Sequence, residues 1–182
     1  MKFDRKMISN ILFIVALAVV IYPPSRAWMM RLVAFSPSIE NIEDRAKLTH
    51  YNWQLKGINT ADLDFETAKN KVIIVNMWAT WCPPCVAEMP SLQDLYNDYK
   101  DQVVFVFVTS EGAEKVTPFM EKNNYNLPIY NMMSKEPDLL STQSIPTTYL
   151  INKKGEIVIK KTGAANWNST KVRNQLDELI KE

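Results

Sequence analysis

The sequence predicts an α/β domain with a central mixed β-sheet flanked by helices, preceded by an N-terminal membrane segment. Three observations carry this. Val72–Met77 and Val103–Val108 are continuous apolar stretches that read as strands covered on both faces, with an amphipathic repeat between them. Two later strand-like stretches flank the polar turn Asn152-Lys153-Lys154-Gly155, a hairpin pattern. Ahead of the domain, an uninterrupted apolar run from Ile11 to Tyr22 ends at two prolines.

That run follows Lys2, Arg5 and Lys6, and Pro23 and Pro24 end it by lacking amide donors and restricting the residue before them. Met7 to Tyr22 as a helix would span roughly 24 Å at about 1.5 Å per residue, short of the ~30 Å hydrocarbon core. Three readings stay open: an uncleaved signal-anchor, a secretory signal cleaved near Ala16-Leu17-Ala18 or Ser25-Arg26-Ala27, and a buried core helix. No cysteine stands directly after the run, which excludes a lipoprotein anchor. The leading basic residues favour a cytoplasmic N-terminus, against Arg26 and Arg31 on the far side. The expected location is therefore the bacterial inner membrane, single-pass, with the domain facing the periplasm or cell exterior. Trp28, Met29, Met30, Leu32, Val33 and Phe35 form an apolar cluster that fits either a membrane interface or a short helix packed on the domain. Residues 1–26 are thus assigned to an anchor or signal, 27–48 to a juxtamembrane linker and 49–182 to the folded domain.

Within the domain, Tyr51-Asn52-Trp53-Gln54-Leu55 alternates as a half-buried strand, and Gly57 ends it. After Val72–Met77, the residues Val86, Met89, Leu92, Leu95, Tyr96 and Tyr99 recur at helical spacing, with Pro90 expected to bend the helix. Val103–Val108 is the second continuous strand. Val116, Phe119 and Met120 mark a shorter helix, Leu127–Tyr130 a short strand, and Thr147–Ile151 with Ile157–Lys161 the hairpin. Val172, Leu176, Leu179 and Ile180 close the chain as a helix capped by Asn168 or Ser169. Parallel strands joined by helical crossovers, with an antiparallel edge, follow from this order.

Composition narrows the function. The 182 residues carry 21 basic and 20 acidic side chains, and no basic run alternates with aromatics, so nucleic acid is not an expected partner. One histidine, His50, and two cysteines cannot make a four-ligand Cys/His zinc site, and no cofactor is implied. Both cysteines sit in one Cys-x-x-Cys segment, leaving none to staple the fold.

Thiol–disulfide exchange needs a thiolate to attack a sulfur and a second thiol close enough to release the captured product. Cys82 at a helix start meets the first need, because unpaired amides and the helix dipole favour its negative form; Cys85, one turn inward, meets the second. Pro83 and Pro84 suit the first helical positions and remove amide donors beside Cys82.

Val75-Asn76-Met77-Trp78-Ala79-Thr80-Trp81-Cys82-Pro83-Pro84-Cys85, followed by Glu88 and Pro90, resembles the active-site signature of the TlpA/ResA-like branch of the thioredoxin superfamily. With the downstream pattern the resemblance covers about Tyr51 to Glu182. It implies a thioredoxin fold, an exposed nucleophile Cys82 and a buried resolving Cys85. Ile145-Pro146-Thr147 resembles the superfamily's cis-proline loop, which would present backbone to an extended substrate. Asn76 stands where ordinary thioredoxins carry a buried aspartate, and Glu88 matches the acidic residue of the TlpA/ResA-like signature, with two readings open: a proton relay, or a solvated helix-face carboxylate. Trp81 is expected to shield the pair and contact partners, whereas Trp78 fits either that role or the core. Substrate contact is thus assigned to Trp81, Pro83, Pro84, Ile145 and Pro146, and catalysis to Cys82, Cys85 and Glu88. The resemblance implies a reductase of disulfides in exported proteins, apocytochrome c cysteines among them, supplied by a membrane electron donor of the DsbD/CcdA type. The alternative is a thioredoxin-fold copper chaperone with His50 as its one candidate histidine ligand.

Overall fold

The computed structural model describes residues 5–21 and 34–182. Helix α1 (Arg5–Ile21) takes up most of the expected membrane segment, and among the described residues no helix is long and apolar enough to cross a membrane. Tyr22 to Val33 lie outside the described residues, and with them the two prolines, the second candidate cleavage site and most of the Trp28–Phe35 cluster.

One seven-stranded sheet organises the remainder. Its strands are β1 (Gln54–Gly57), β2 (Leu63–Asp64), β3 (Val72–Met77), β4 (Val103–Val108), β5 (Ile129–Met132), β6 (Thr147–Ile151) and β7 (Ile157–Thr162), in the spatial order β2-β1-β5-β4-β3-β6-β7. Strands β3, β4 and β5 run parallel; β6, β7, β1 and β2 are antiparallel to their neighbours. Helices α2 (Pro83–Tyr99) and α3 (Ala113–Asn123) are the crossovers, and α4 (Thr170–Lys181) follows the hairpin. Parallel neighbours need such crossovers, because a short turn can join only antiparallel strands.

Side chains of β3 alternate between two cores, as the period of two along a strand requires. Val72 and Ile74 pack with Leu92 and Leu95 of α2, Val116 and Met120 of α3, and Leu176 of α4. Ile73, Val75 and Met77 face Trp53, Phe65, Tyr149 and Leu140. The three helices therefore flank one face, while the other is covered by the chain around β1 and by 3-10 turns at Phe65–Ala68 and Asp138–Leu140. All six residues of β3 are buried, the polar Asn76 among five apolar neighbours included.

Three boundaries differ from expectation. Burial alternates from Tyr51 to Leu55, but the ladder starts only at Gln54, since β5 offers partners only to Leu55, Lys56 and Gly57. The expected strand Leu127–Tyr130 lies two residues later, at Ile129–Met132, in register with both β4 and β1. Packing against the sheet begins well ahead of Thr49. Residues 34–48 follow the outer edge of β7: the Glu40 amide donates to the Val158 carbonyl (2.8 Å), the Ile157 amide to Ala46 (2.8 Å) and the Leu48 amide to Gly155 (2.9 Å). An edge strand offers unpaired amides and carbonyls, and this segment covers them.

The hairpin turn has a specific residue requirement. Gly155 has φ +82°, and a Cβ there would meet the Tyr51 hydroxyl at 2.6 Å. Ser169 caps α4 by accepting from the Val172 amide. Leu176, fully buried beneath that helix, anchors it. Leu176→Ala should lower unfolding stability by about 2–5 kcal/mol in urea titration with an unchanged denaturant slope.

Candidate active site

Helix α2 begins at Pro83, with the four residues Trp78 to Trp81 between the end of β3 at Met77 and the cap Cys82. Pro83 and Pro84 occupy its first two positions, so the first free amide of the helix belongs to Cys85. That amide donates to the Cys82 sulfur at 3.3 Å, and Cys82 is the N-cap. Cys82 and Cys85 are joined in a disulfide, with Cα atoms 5.2 Å apart. The expectation of an exposed Cys82 is corrected: it is 3 % exposed, against 0 % for Cys85. In the disulfide its sulfur is turned inward, onto Cys85 and the first free helix amide, rather than toward solvent.

Trp81, by contrast, is 69 % exposed. It lines a groove of about 180 Å³ together with Met77, Val108, Met132 and Ile145. The Ile145–Pro146 peptide is cis, and Pro146 is buried. Trp81 and Ile145 are thus brought to one groove, and Pro83 and Pro84 are half-buried at the helix start. Trp78 belongs to the core, packed on Phe119 with ring centroids 5.6 Å apart.

Glu88 is not a solvated carboxylate. It is 1 % exposed and accepts four hydrogen bonds. Oε1 takes the Asn76 amide (2.8 Å) and the Thr148 hydroxyl (3.4 Å); Oε2 takes the Trp167 indole N–H (3.0 Å) and the Ala165 amide (3.3 Å). Burial pushes the carboxyl up from its ordinary 4.5 to about 7, and the bonds from Trp167, Asn76, Ala165 and Thr148 oppose that rise. A carboxyl poised near neutrality is suited to proton exchange.

Glu111, in the loop that follows β4, escaped the sequence reading. Its carboxylate accepts from the Thr80 amide (2.6 Å) and the Thr80 hydroxyl (2.8 Å), two residues before Cys82. Asn131 of β5 holds that loop through the Thr109 and Glu111 carbonyls. The one signal available was position: residues after the carboxyl ends of parallel strands converge on the functional edge of such sheets. Thr148, Ala165 and Trp167 were missed as well, for want of any local pattern. His50 lines a small pocket with Leu48, Pro137 and Leu139, and among the described residues no three His, Cys, Asp or Glu side chains converge on a metal position.

Known proteins share this arrangement. The family model described as Redoxin matches residues 52–179. The thiol-disulfide oxidoreductase ResA of Oceanobacillus iheyensis is 34 % identical over 131 residues, covering 65 % of this chain and 68 % of the relative. The protein of the same name from Halalkalibacterium halodurans is 30 % identical over 133 residues, covering 71 % and 74 %. The crystal structure of StoA from Bacillus subtilis matches with a TM-score of 0.52 at 29 % identity, covering 71 % of this chain and 95 % of that one. A DsbF homologue from Corynebacterium diphtheriae, at 19 % identity and a TM-score of 0.62, shares the fold over 78 % of this chain and 93 % of its own. The matched stretch runs from ahead of β1 into α4, across the sheet and the cysteine pair. The chain belongs to the Redoxin family and is a thiol–disulfide oxidoreductase with a thioredoxin fold.

Proposed function

We propose that the chain is a dithiol reductase of exported proteins, tethered to the bacterial inner membrane through residues 1–26, with its catalytic domain facing the periplasm or cell exterior. The basic residues Lys2, Arg5 and Lys6 ahead of the apolar run from Ile11 support the tether and its orientation. Residues 27–48 link it to the domain at 49–182, with 34–48 strapped along β7. Electrons would come from a membrane donor of the DsbD/CcdA type, and apocytochrome c cysteines are candidate substrates. The relatives named thiol-disulfide oxidoreductase support disulfide exchange at the pair, and the reductive direction rests on the resemblance of the cysteine segment to the TlpA/ResA-like signature.

The observation that carries the chemistry is the Cys82 sulfur at the helix cap, bonded to Cys85 and touched by the first free helix amide. In the reduced protein Cys82 as thiolate attacks one sulfur of a substrate disulfide, forming a mixed disulfide and expelling a substrate thiolate that takes a proton. Cys85 gives its proton toward ionised Glu88 and attacks the Cys82 sulfur, and the second substrate thiolate leaves. Two electrons have passed to the substrate, and the Cys82–Cys85 disulfide remains. Trp81, Ile145, Pro146, Pro83 and Pro84 frame the approach of the substrate strand.

Equilibration with glutathione should place the pair toward the thioredoxin end, about −270 mV, and a value near the DsbA end, about −120 mV, would refute reduction as the direction. Cys85→Ser lacks the resolving thiol, so mixed disulfides trapped in cells should contain exported proteins; capture of cytosolic proteins alone would reject the proposed location. Glu88→Gln should remove the inflection near pH 7 from the rate of Cys85 attack, and identical pH profiles would end the relay role. The same variant has a stability signature. Between pH 4.5 and 7 the folded state holds the Glu88 proton and the unfolded state does not, so wild-type stability falls as pH rises through that window. Relative to Glu88→Gln, the wild type should lose on the order of 3 kcal/mol from below pH 4.5 to above pH 7 in denaturant titrations.

A further inference from the structure

Asn76 is fully buried on β3, opposite Thr148 of β6 in the strand register. Its Nδ2 donates to both Glu88 Oε1 (2.8 Å) and Thr148 Oγ1 (2.7 Å). Its Oδ1 is buried and has no hydrogen-bond partner among the described residues. A buried amide oxygen left unpaired is costly, so its position calls for a reason.

The partners of Glu88 supply one. Every group facing it as observed is a donor, an arrangement complementary to a carboxylate. Once protonated, the carboxyl must itself donate. On the Oε2 side the Ala165 amide and the Trp167 indole can only donate, so no acceptor is available there. The proton therefore belongs on Oε1, which faces only Asn76 and Thr148. Thr148 Oγ1 already receives the Asn76 N–H, and accepting from Glu88 as well would take its second lone pair and cost its own O–H the acceptor it has in Glu88 Oε1. Turning the Asn76 amide by half a rotation would bring Oδ1 to the place of Nδ2, where it can accept from both the Glu88 carboxyl and the Thr148 hydroxyl. The turn exchanges the two Nδ2 donations for two acceptances by Oδ1, which among the described residues has no bond to lose.

We propose that Asn76 is a positioning residue for the thiol chemistry: its amide presents N–H to Glu88 when Glu88 is ionised and C=O when Glu88 is protonated, so one side chain serves both halves of the proton exchange. An aspartate at position 76 would add a second charge beside Glu88, whereas an amide offers donor and acceptor without charge. The surroundings leave Glu88 as the group that titrates here. Around it β3 presents Asn76, β6 presents Thr148, and the loop before α4 presents Ala165 and Trp167; on α2 the cysteines are tied in the disulfide, and Asp94 lines a cleft with Ala87, Pro90, Ser91 and Ala165. The assignment rests on Glu88 being the proton carrier for Cys85.

The test is side-chain NMR on the oxidised full-length chain across the Glu88 titration. Above the midpoint the Asn76 side-chain NH2 protons should show close contacts to Thr148; below it those contacts should vanish, with the NH2 shifts moving at the Glu88 carboxyl midpoint. NH2–Thr148 contacts that persist at both ends of the titration overturn the proposal. Asn76→Leu, which has neither donor nor acceptor, removes the partner of both protonation states, so the Glu88 midpoint and the pH profile of Cys85 attack should move by less than about half a pH unit, whereas loss of a fixed donor serving the ionised state alone would raise both by about one unit or more; a rise of that size overturns the proposal. If this variant fails to fold, the wild-type NMR measurement decides alone. Should Cys85 attack follow Glu88 while the amide stays fixed, this assignment fails and the relay stands; should the amide turn while Cys85 attack ignores Glu88, the relay fails instead.

Discussion

Strand β3 has no face open to water, and the rest of the site is built from that confinement. Its odd and even side chains are claimed by two different cores, and its backbone is paired along its length by β4 on one side and β6 on the other. A strand held this way delivers its carboxyl end to one place. The Trp78 amide continues the pairing by donating to the Val108 carbonyl, and Glu111 grips Thr80. The cysteine loop is therefore fixed from both ends, by the sheet behind it and by the helix ahead of it. Charge-assisted bonds to a loop amide and hydroxyl are stronger than neutral ones, which suits Glu111 to that restraint.

The same confinement places a carboxyl group where water does not reach. Glu88 is drawn in because α2 lies flat on the sheet, with Met89, Leu92 and Leu95 filling the core beside it. Burial raises its pKa, and the four donors, which favour the charged form, oppose that rise and hold it to about 7. Opposed effects of this size make the group responsive, since the loss of one donor shifts the balance by an appreciable fraction. The fold spends stability on this arrangement at alkaline pH, a cost that functional sites commonly carry.

The segment before the domain reaches this network too. The Phe35 carbonyl accepts from the Asn166 amide, and Asn166 sits between Ala165 and Trp167, the two residues that bond Glu88 Oε2. The chain leading from the proposed tether is thus in direct contact with the loop that holds the buried carboxylate. Covering β7 is the structural role of residues 34–48, and support of the Glu88 loop follows from the same path along the edge.

The sequence by itself determined the elements that are written in local pattern. Continuous apolar runs marked β3 and β4, helical spacing marked α2 and α4, the Asn152–Gly155 turn marked the hairpin, and the cysteine pair between strand and helix marked the chemistry. Each depends on residues within a few positions of one another, so periodicity and spacing carry it. Edges shifted where pairing partners set the limits, as with β1 and β5. What only the tertiary structure decided is the environment of Glu88 and Thr80. Asn76, Thr148, Ala165 and Trp167 lie 12, 60, 77 and 79 positions from Glu88, and Glu111 lies 31 from Thr80. A carboxylate on a helix reads the same in sequence whether it meets water or a sheet. Burial and hydrogen-bond partners belong to what is folded against a residue, and that is settled when the chain closes.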